Sequence, residues 1–190
     1  MDAEGQKSHL KAYGITYWAL NKQQDVKWLL NYRGGSFLIP FVDSIEKECL
    51  IRGVSYELLS NQKVESILNE IKSPSKNMDA VILEKAPKIA VYSPNGNQPW
   101  DDAVTMVLTY AEIPYETIYD TEVLNDALLL YDWLHLHHED FTGQYGKFYR
   151  AYRNAAWYID QQQAAEKLAL SLGYSKVSDQ KLAVAKKIRE

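Results

Sequence analysis

Short β-branched or aromatic runs alternate along this chain with amphipathic stretches of about a dozen residues. Val26-Lys27-Trp28-Leu29-Leu30-Asn31-Tyr32 reads as a strand, closed by Arg33-Gly34-Gly35. Asp43 to Arg52 reads as a helix, with Ile45, Cys49 and Leu50 on one face and Gly53 as its stop. Val54 to Leu59 reads as a second strand, and Asn61 to Lys72 as a helix carrying Val64, Ile67, Leu68 and Ile71 at helical spacing. A polar break follows at Ser73 to Met78, with Pro74 inside it.

The pattern then restarts. Lys88-Ile89-Ala90-Val91-Tyr92 predicts a strand ended by Ser93-Pro94-Asn95-Gly96-Asn97. Pro99 suits the first turn of a helix whose acids, Asp101 and Asp102, complement the amino-terminal dipole. That helix runs to about Glu112, with Val104, Val107, Leu108 and Ala111 on one face. Tyr115 to Tyr119 predicts a strand, Glu122 to Leu130 a short helix and Tyr131 to His137 a strand. Gln144 to Tyr152, Gln161 to Leu172 and Ser178 to Glu190 predict helices, the last with Leu182, Ala185 and Ile188 spaced three apart.

Strand, helix, strand at this spacing implies parallel pairing through right-handed crossovers. The expected fold class is α/β, a mostly parallel sheet flanked by helices. Residues 49–57 echo residues 108–116: each has a helix end, a short turn, then Tyr-Glu. Shared βαβ punctuation accounts for such an echo, and a duplicated half-domain with its boundary near Ser73–Pro87 is the alternative. The final helix ends without Gly, Asn or Pro, so the pattern reads as cut within a unit, although a frayed terminal helix gives the same picture.

Composition narrows the classes. The 190 residues carry 21 Lys+Arg against 25 Asp+Glu, a net charge of −4, which argues against a general nucleic-acid binder. With 46% hydrophobic residues the chain is of globular type, and at this length roughly 70% of its unfolded surface is buried on folding. One cysteine, Cys49, excludes an internal disulfide framework and a cysteine-rich zinc site. No run of 18 apolar residues is present and residues 1–12 have no apolar signal core, so the expected place of the chain as given is the cytoplasm, away from membranes.

Asp132-Trp133-Leu134-His135-Leu136-His137-His138-Glu139-Asp140 holds three of the four histidines. On a strand His135 and His137 share a face, and the end of a parallel strand is where open α/β sheets place ligands. His135, His137, His138, Glu139 and Asp140 are therefore the candidates for chemistry, without an assigned catalytic role. His135, His137 and Asp140 could together hold a divalent metal. A polar loop satisfied by backbone and carboxylates is the commoner outcome, and proton transfer by imidazole without a metal lies between the two. Two loops have the character of anion sites, Arg33-Gly34-Gly35-Ser36 and the turn with Ser93, Asn95 and Gln98, each read as joining a strand to a helix. Neither is a P-loop or a dinucleotide fingerprint, and no cofactor is implied. Tyr145, Phe148, Tyr149 and Tyr152 form a helical aromatic stripe beside Lys147, Arg150 and Arg153, which is read as a packed face with a solvated one. Cys49, among Ile45, Leu50 and Ile51, is expected to be a buried structural thiol.

The strings Lys88-Ile89-Ala90-Val91-Tyr92-Ser93-Pro94, Gln98-Pro99-Trp100-Asp101-Asp102-Ala103-Val104-Thr105, Ala111-Glu112-Ile113-Pro114-Tyr115 and Tyr131 through Tyr145 resemble a bacterial family labelled "asparagine synthetase B". So do Lys11-Ala12-Tyr13-Gly14-Ile15-Thr16-Tyr17-Trp18 and Asn31-Tyr32-Arg33-Gly34-Gly35-Ser36-Phe37. The resemblance covers essentially the whole chain. It implies a class I glutamine-amidotransferase-like, flavodoxin-like fold, of which this chain is an amino-terminal fragment. Residues 1–80 would form a βαβ portion and 81–190 an amidotransferase-like portion lacking its downstream strands, with one continuous domain as the alternative. It implies a nucleophilic cysteine turn beyond Glu190, and full-length members of which some are exported. The label does not supply a mechanism. Asp2 stands where a glutamine-dependent asparagine synthetase has its cysteine, and Gly34-Gly35-Ser36-Phe37 lacks the aspartate of a pyrophosphate loop. Three functions stand at this point: a wall of a ligand pocket at 135–140 in an amidotransferase-like protein, a metal-dependent hydrolase, and a non-catalytic binding module. The expected partners are a small-molecule ligand of unknown identity and further copies of the chain, through uncovered surfaces; nucleic acid is not expected.

Overall fold

The computed structural model describes residues 8–94, 102–136 and 150–190. It is a mixed α/β structure in which two small sheets are flanked by helices. The described residues divide into two compact units, 8–87 with 103–114, and 88–94, 102, 115–136 and 150–190.

The first unit is built on an antiparallel sheet of order β2-β1-β3, where β1 is Val26–Leu30, β2 Ser36–Leu38 and β3 Asp79–Leu83. Helix α1 (His9–Asn21) and α2 (Asp43–Arg52) pack Ile15, Ala19, Ile45 and Cys49 against Val26 on one face. Helix α3 (Asn61–Ile71) packs Ile67 and Ile71 against Leu29 on the other, beginning at Ser60, whose hydroxyl accepts the Lys63 N–H. Helix α4 (Ala103–Ala111) lies along α1.

The mostly parallel sheet that the spacing predicts does not include this unit, whose sheet is antiparallel throughout. Residues 54–59 form no strand. Both edges of β1 are taken by β2 and β3, and the 54–59 segment instead offers Tyr56 to Glu46 at 2.8 Å and Glu57 to Arg33 at 2.9 Å. The Arg33-Gly34-Gly35 loop leads into β2, so it is a hairpin connection and not a helix N-terminus. Positive φ at Gly34 (81°) and Gly35 (107°) explains the glycines.

The second unit holds a parallel sheet of order β5-β4-β6, with β4 Ile89–Tyr92, β5 Glu116–Ile118 and β6 Trp133–Leu136. Ala90, Tyr92, Ile118 and Leu134 share one face, covered by α5 (Asp120–Leu124) and by Val184 and Ile188 of α7 (Val177–Arg189). Helix α6 (Ala156–Ser171) packs on α7. The buried side of α7 is Gln180, Lys181 and Val184, with Ile188 packed beside them; of the expected stripe Leu182, Ala185 and Ile188, Leu182 is the member the structure corrects, since it is exposed. Among the described residues no helix is long and apolar enough to cross a membrane.

Candidate functional site

The parallel sheet orders its strands second, first, third in chain sequence. The connection out of β4 goes to one side and the next strand after β5 comes to the other. In open α/β sheets that reversal opens a crevice at the carboxyl ends of the two strands, here β4 and β6. Two features singled out in the sequence flank it: Ser93 follows β4, and His135 lies near the end of β6.

His135 pairs in register with Val91 and so projects on the face opposite Tyr92. Its Nε2 lies 2.6 Å from Asp102 Oδ2. The two side chains are 18% and 7% exposed, so the contact lies largely out of water. A carboxylate only accepts, so in a neutral imidazole Nε2–H is the donor and Nδ1 keeps its lone pair. No hydrogen-bond partner for Nδ1 occurs among the described residues. The Trp133 ring stands edge-on to the imidazole at 6.4 Å between centroids. A base held by a carboxylate at one nitrogen and open at the other is a unit suited to moving a proton.

Ser93 is buried, and its N–H donates to Ile118 O at 3.0 Å, which extends the ladder to β5. That amide is not available to an anion. Asn95, Gln98, His137, His138, Glu139 and Asp140, with Asp101 and the aromatic stripe from Tyr145 to Tyr149, lie outside the described residues. Among the described residues no group of three His, Cys, Asp or Glu side chains is placed to hold a metal. Cys49 is buried in the first unit, and burial together with the Glu46 and Glu48 carboxylates pushes its thiol pKa up, which leaves it a structural thiol.

The other face of the sheet carries a polar cluster that periodicity missed. Asp120, directly after the β5 segment, accepts from the Tyr92 hydroxyl and from Gln180 Nε2, and Lys181 Nζ lies 3.1 Å from its Oδ2. The ammonium also donates to Tyr119 at 2.7 Å and to Tyr92 at 3.1 Å, and sits 4.2 Å above the Tyr119 ring. Asp120 and Lys181 are 1% and 5% exposed. The sequence did hold a signal: Lys181, Val184 and Ile188 fall on one helical stripe, so a charge sits on an otherwise apolar face. The cluster fixes the carboxyl ends of β4 and β5, the floor on which the His135 side of the sheet stands.

No family model matches this chain, and comparison with curated proteins and with solved structures returns no significant match.

Proposed function

We propose that the carboxyl end of the parallel sheet forms one wall of a small-molecule pocket in an amidotransferase-like α/β protein of the kind labelled asparagine synthetase B. The observation that carries this reading is the His135–Asp102 pair near the carboxyl end of β6, in a sheet whose order reverses between β4 and β6. Two further features support it. The 2-1-3 strand order is the first part of the flavodoxin-like order 2-1-3-4-5. Two of the strings quoted in the resemblance, Lys88 to Pro94 and Tyr131 to Tyr145, include β4 and β6 and run past their carboxyl ends.

In this reading Asp102 sets the tautomer and orientation of His135. Nδ1 takes or returns a proton on the bound molecule, or accepts a hydrogen bond from it. The attacking nucleophile comes from a cysteine turn outside these 190 residues, so the chain binds and orients without completing a turnover.

Histidine labelled with 15N tests both parts, because there are only four such residues to assign. The neutral His135 ring is expected to show a protonated Nε2 and a bare Nδ1, and Asp102→Ala to abolish that preference. L-Glutamine, offered as the amide donor of amidotransferases, is expected to move the His135 signals in a saturable way. A ring protonated on Nδ1 would defeat the dyad. Signals that ignore glutamine, glutamate and asparagine alike would defeat the pocket.

A further inference from the structure

The first unit contains a second site of different chemistry, independent of the reading above. Lys27 and Leu29 of β1, Leu38 of β2, and Ala80 and Ile82 of β3 share one sheet face by register. Helix α3 seals part of that face, through Ile67, Leu68 and Ile71 on Leu29, Leu38 and Ala80. Beside the sealed part lies a cavity of about 440 Å³, lined by Lys27, Lys72, Asn77, Ile71, Met78 and Ile82 among others. That volume falls within the range of small-molecule sites.

The lining is two-sided in chemistry. Leu68, Ile71, Met78, Ala80 and Ile82 give it an apolar wall, and Ile82 is 66% exposed although it belongs to a sheet face. Lys27 is the one cation on that face, and Lys72, directly after the end of α3, also lines the cavity. Neither ammonium has an ion-pair or hydrogen-bond partner among the described residues. The single carboxylate of the lining, Asp79, accepts the Ala80 N–H at 2.7 Å. Two cations against one carboxylate leave the cavity net positive.

We propose that this cavity binds a small amphiphilic anion, a monocarboxylate with an aliphatic or aromatic tail: the carboxylate between Lys27 and Lys72, the tail along Ile71, Met78 and Ile82. A lysine lying over apolar surface with its ammonium in water has the same stem packing but no charge requirement. Charge dependence is therefore what separates the two.

Octanoate and 1-octanol, equal in chain length and different in charge, are the probes, read by methyl NMR of the full chain labelled at Ile, Leu and Met. Octanoate is expected to shift the Leu68, Ile71, Met78 and Ile82 methyls in a saturable way and to bind about tenfold more tightly than octanol. The double substitution Lys27→Met with Lys72→Met is expected to remove that tenfold difference, and Lys27→Arg with Lys72→Arg to keep it. Octanol binding as tightly as octanoate, shifts confined to methyls elsewhere, or undiminished octanoate binding after the methionine substitutions would each overturn the proposal. The octanol comparison and the arginine pair stand even if the methionine pair fails to fold.

Discussion

Tyr131 holds its hydroxyl 2.7 Å from the Glu116 carboxylate, and this bond pushes the phenol pKa up to about 12. Only the neutral phenol can donate, so the folded state keeps the proton longer than the unfolded chain, whose tyrosine titrates near the ordinary value of about 10. The resulting stabilisation is complete below about pH 10 and is lost as pH rises through about 12. Tyr131→Phe should therefore cost about 1 kcal/mol near neutrality, a value kept small by solvent contact, and cost progressively less above about pH 10. Urea midpoints of the two proteins across that range check this; a constant gap would mean that the bond does not form. At this scale the sequence was legible where spacing alone decides geometry. His135 on a strand face was such a case. Asp102 was read as a helix-start acid, and its contact with a histidine 33 residues away follows no local rule. Lys181 was missed because a charge on a helix is ordinarily solvent-facing, and only its tertiary partners make it a core residue.

At the scale of elements, helix stops were the most readable feature. The echo between 49–57 and 108–116 is a shared stop: Gly53 (φ 68°) and Glu112 (φ 61°) both take the left-handed conformation. Val54 N–H then bonds Cys49 O, and Ile113 N–H bonds Leu108 O, each at 2.9 Å. After the stop the two diverge, one into an open segment and the other into β5. The sheets they serve are antiparallel and parallel, so shared punctuation is the better account than duplication. Helix α1 was not legible, since Ser8 gives it no side-chain cap and its apolar residues do not gather on one stripe. What holds it is tertiary contact: Ile15 and Ala19 enter the core with Val26, Ile45 and Cys49, and α4 packs along it. A Cβ at Gly14 would stand 1.7 Å from the Ala111 carbonyl oxygen, a backbone atom that cannot step aside. Gly14→Ala forces the helices apart and should cost about 3 kcal/mol, seen as a fall of roughly 6–12 °C in Tm. An unchanged Tm would show that the two helices do not meet at Gly14.

At the scale of the molecule, the three strands of the second sheet and their parallel direction were legible in the sequence, whereas of the first sheet only β1 was read: β2 and β3 were not, and 54–59 was read as a strand that does not form. Spacing predicts a crossover only if a helix joins neighbouring strands; β1 instead pairs with β2 through a short hairpin and with β3 across about fifty residues, both antiparallel. In the second unit the strands are short, three to four residues each, and ladder bonds alone hold little. Its closure depends on the buried cluster, whose Lys181 contacts span 61 to 89 residues of chain. A carboxylate and an ammonium that have both left water are costly unless each answers the other, so removing one should be worse than removing both. Lys181→Met strands the Asp120 charge and should lower stability by about 3–5 kcal/mol. Adding Asp120→Asn to it removes the stranded charge and should recover part of that loss, because the amide still accepts from the Tyr92 hydroxyl. Urea unfolding of the two single variants and the double variant measures the coupling. If the losses simply add, or if Lys181→Met costs less than about 1 kcal/mol, the ammonium sits in water and the ends of β4 and β5 are held by apolar packing alone.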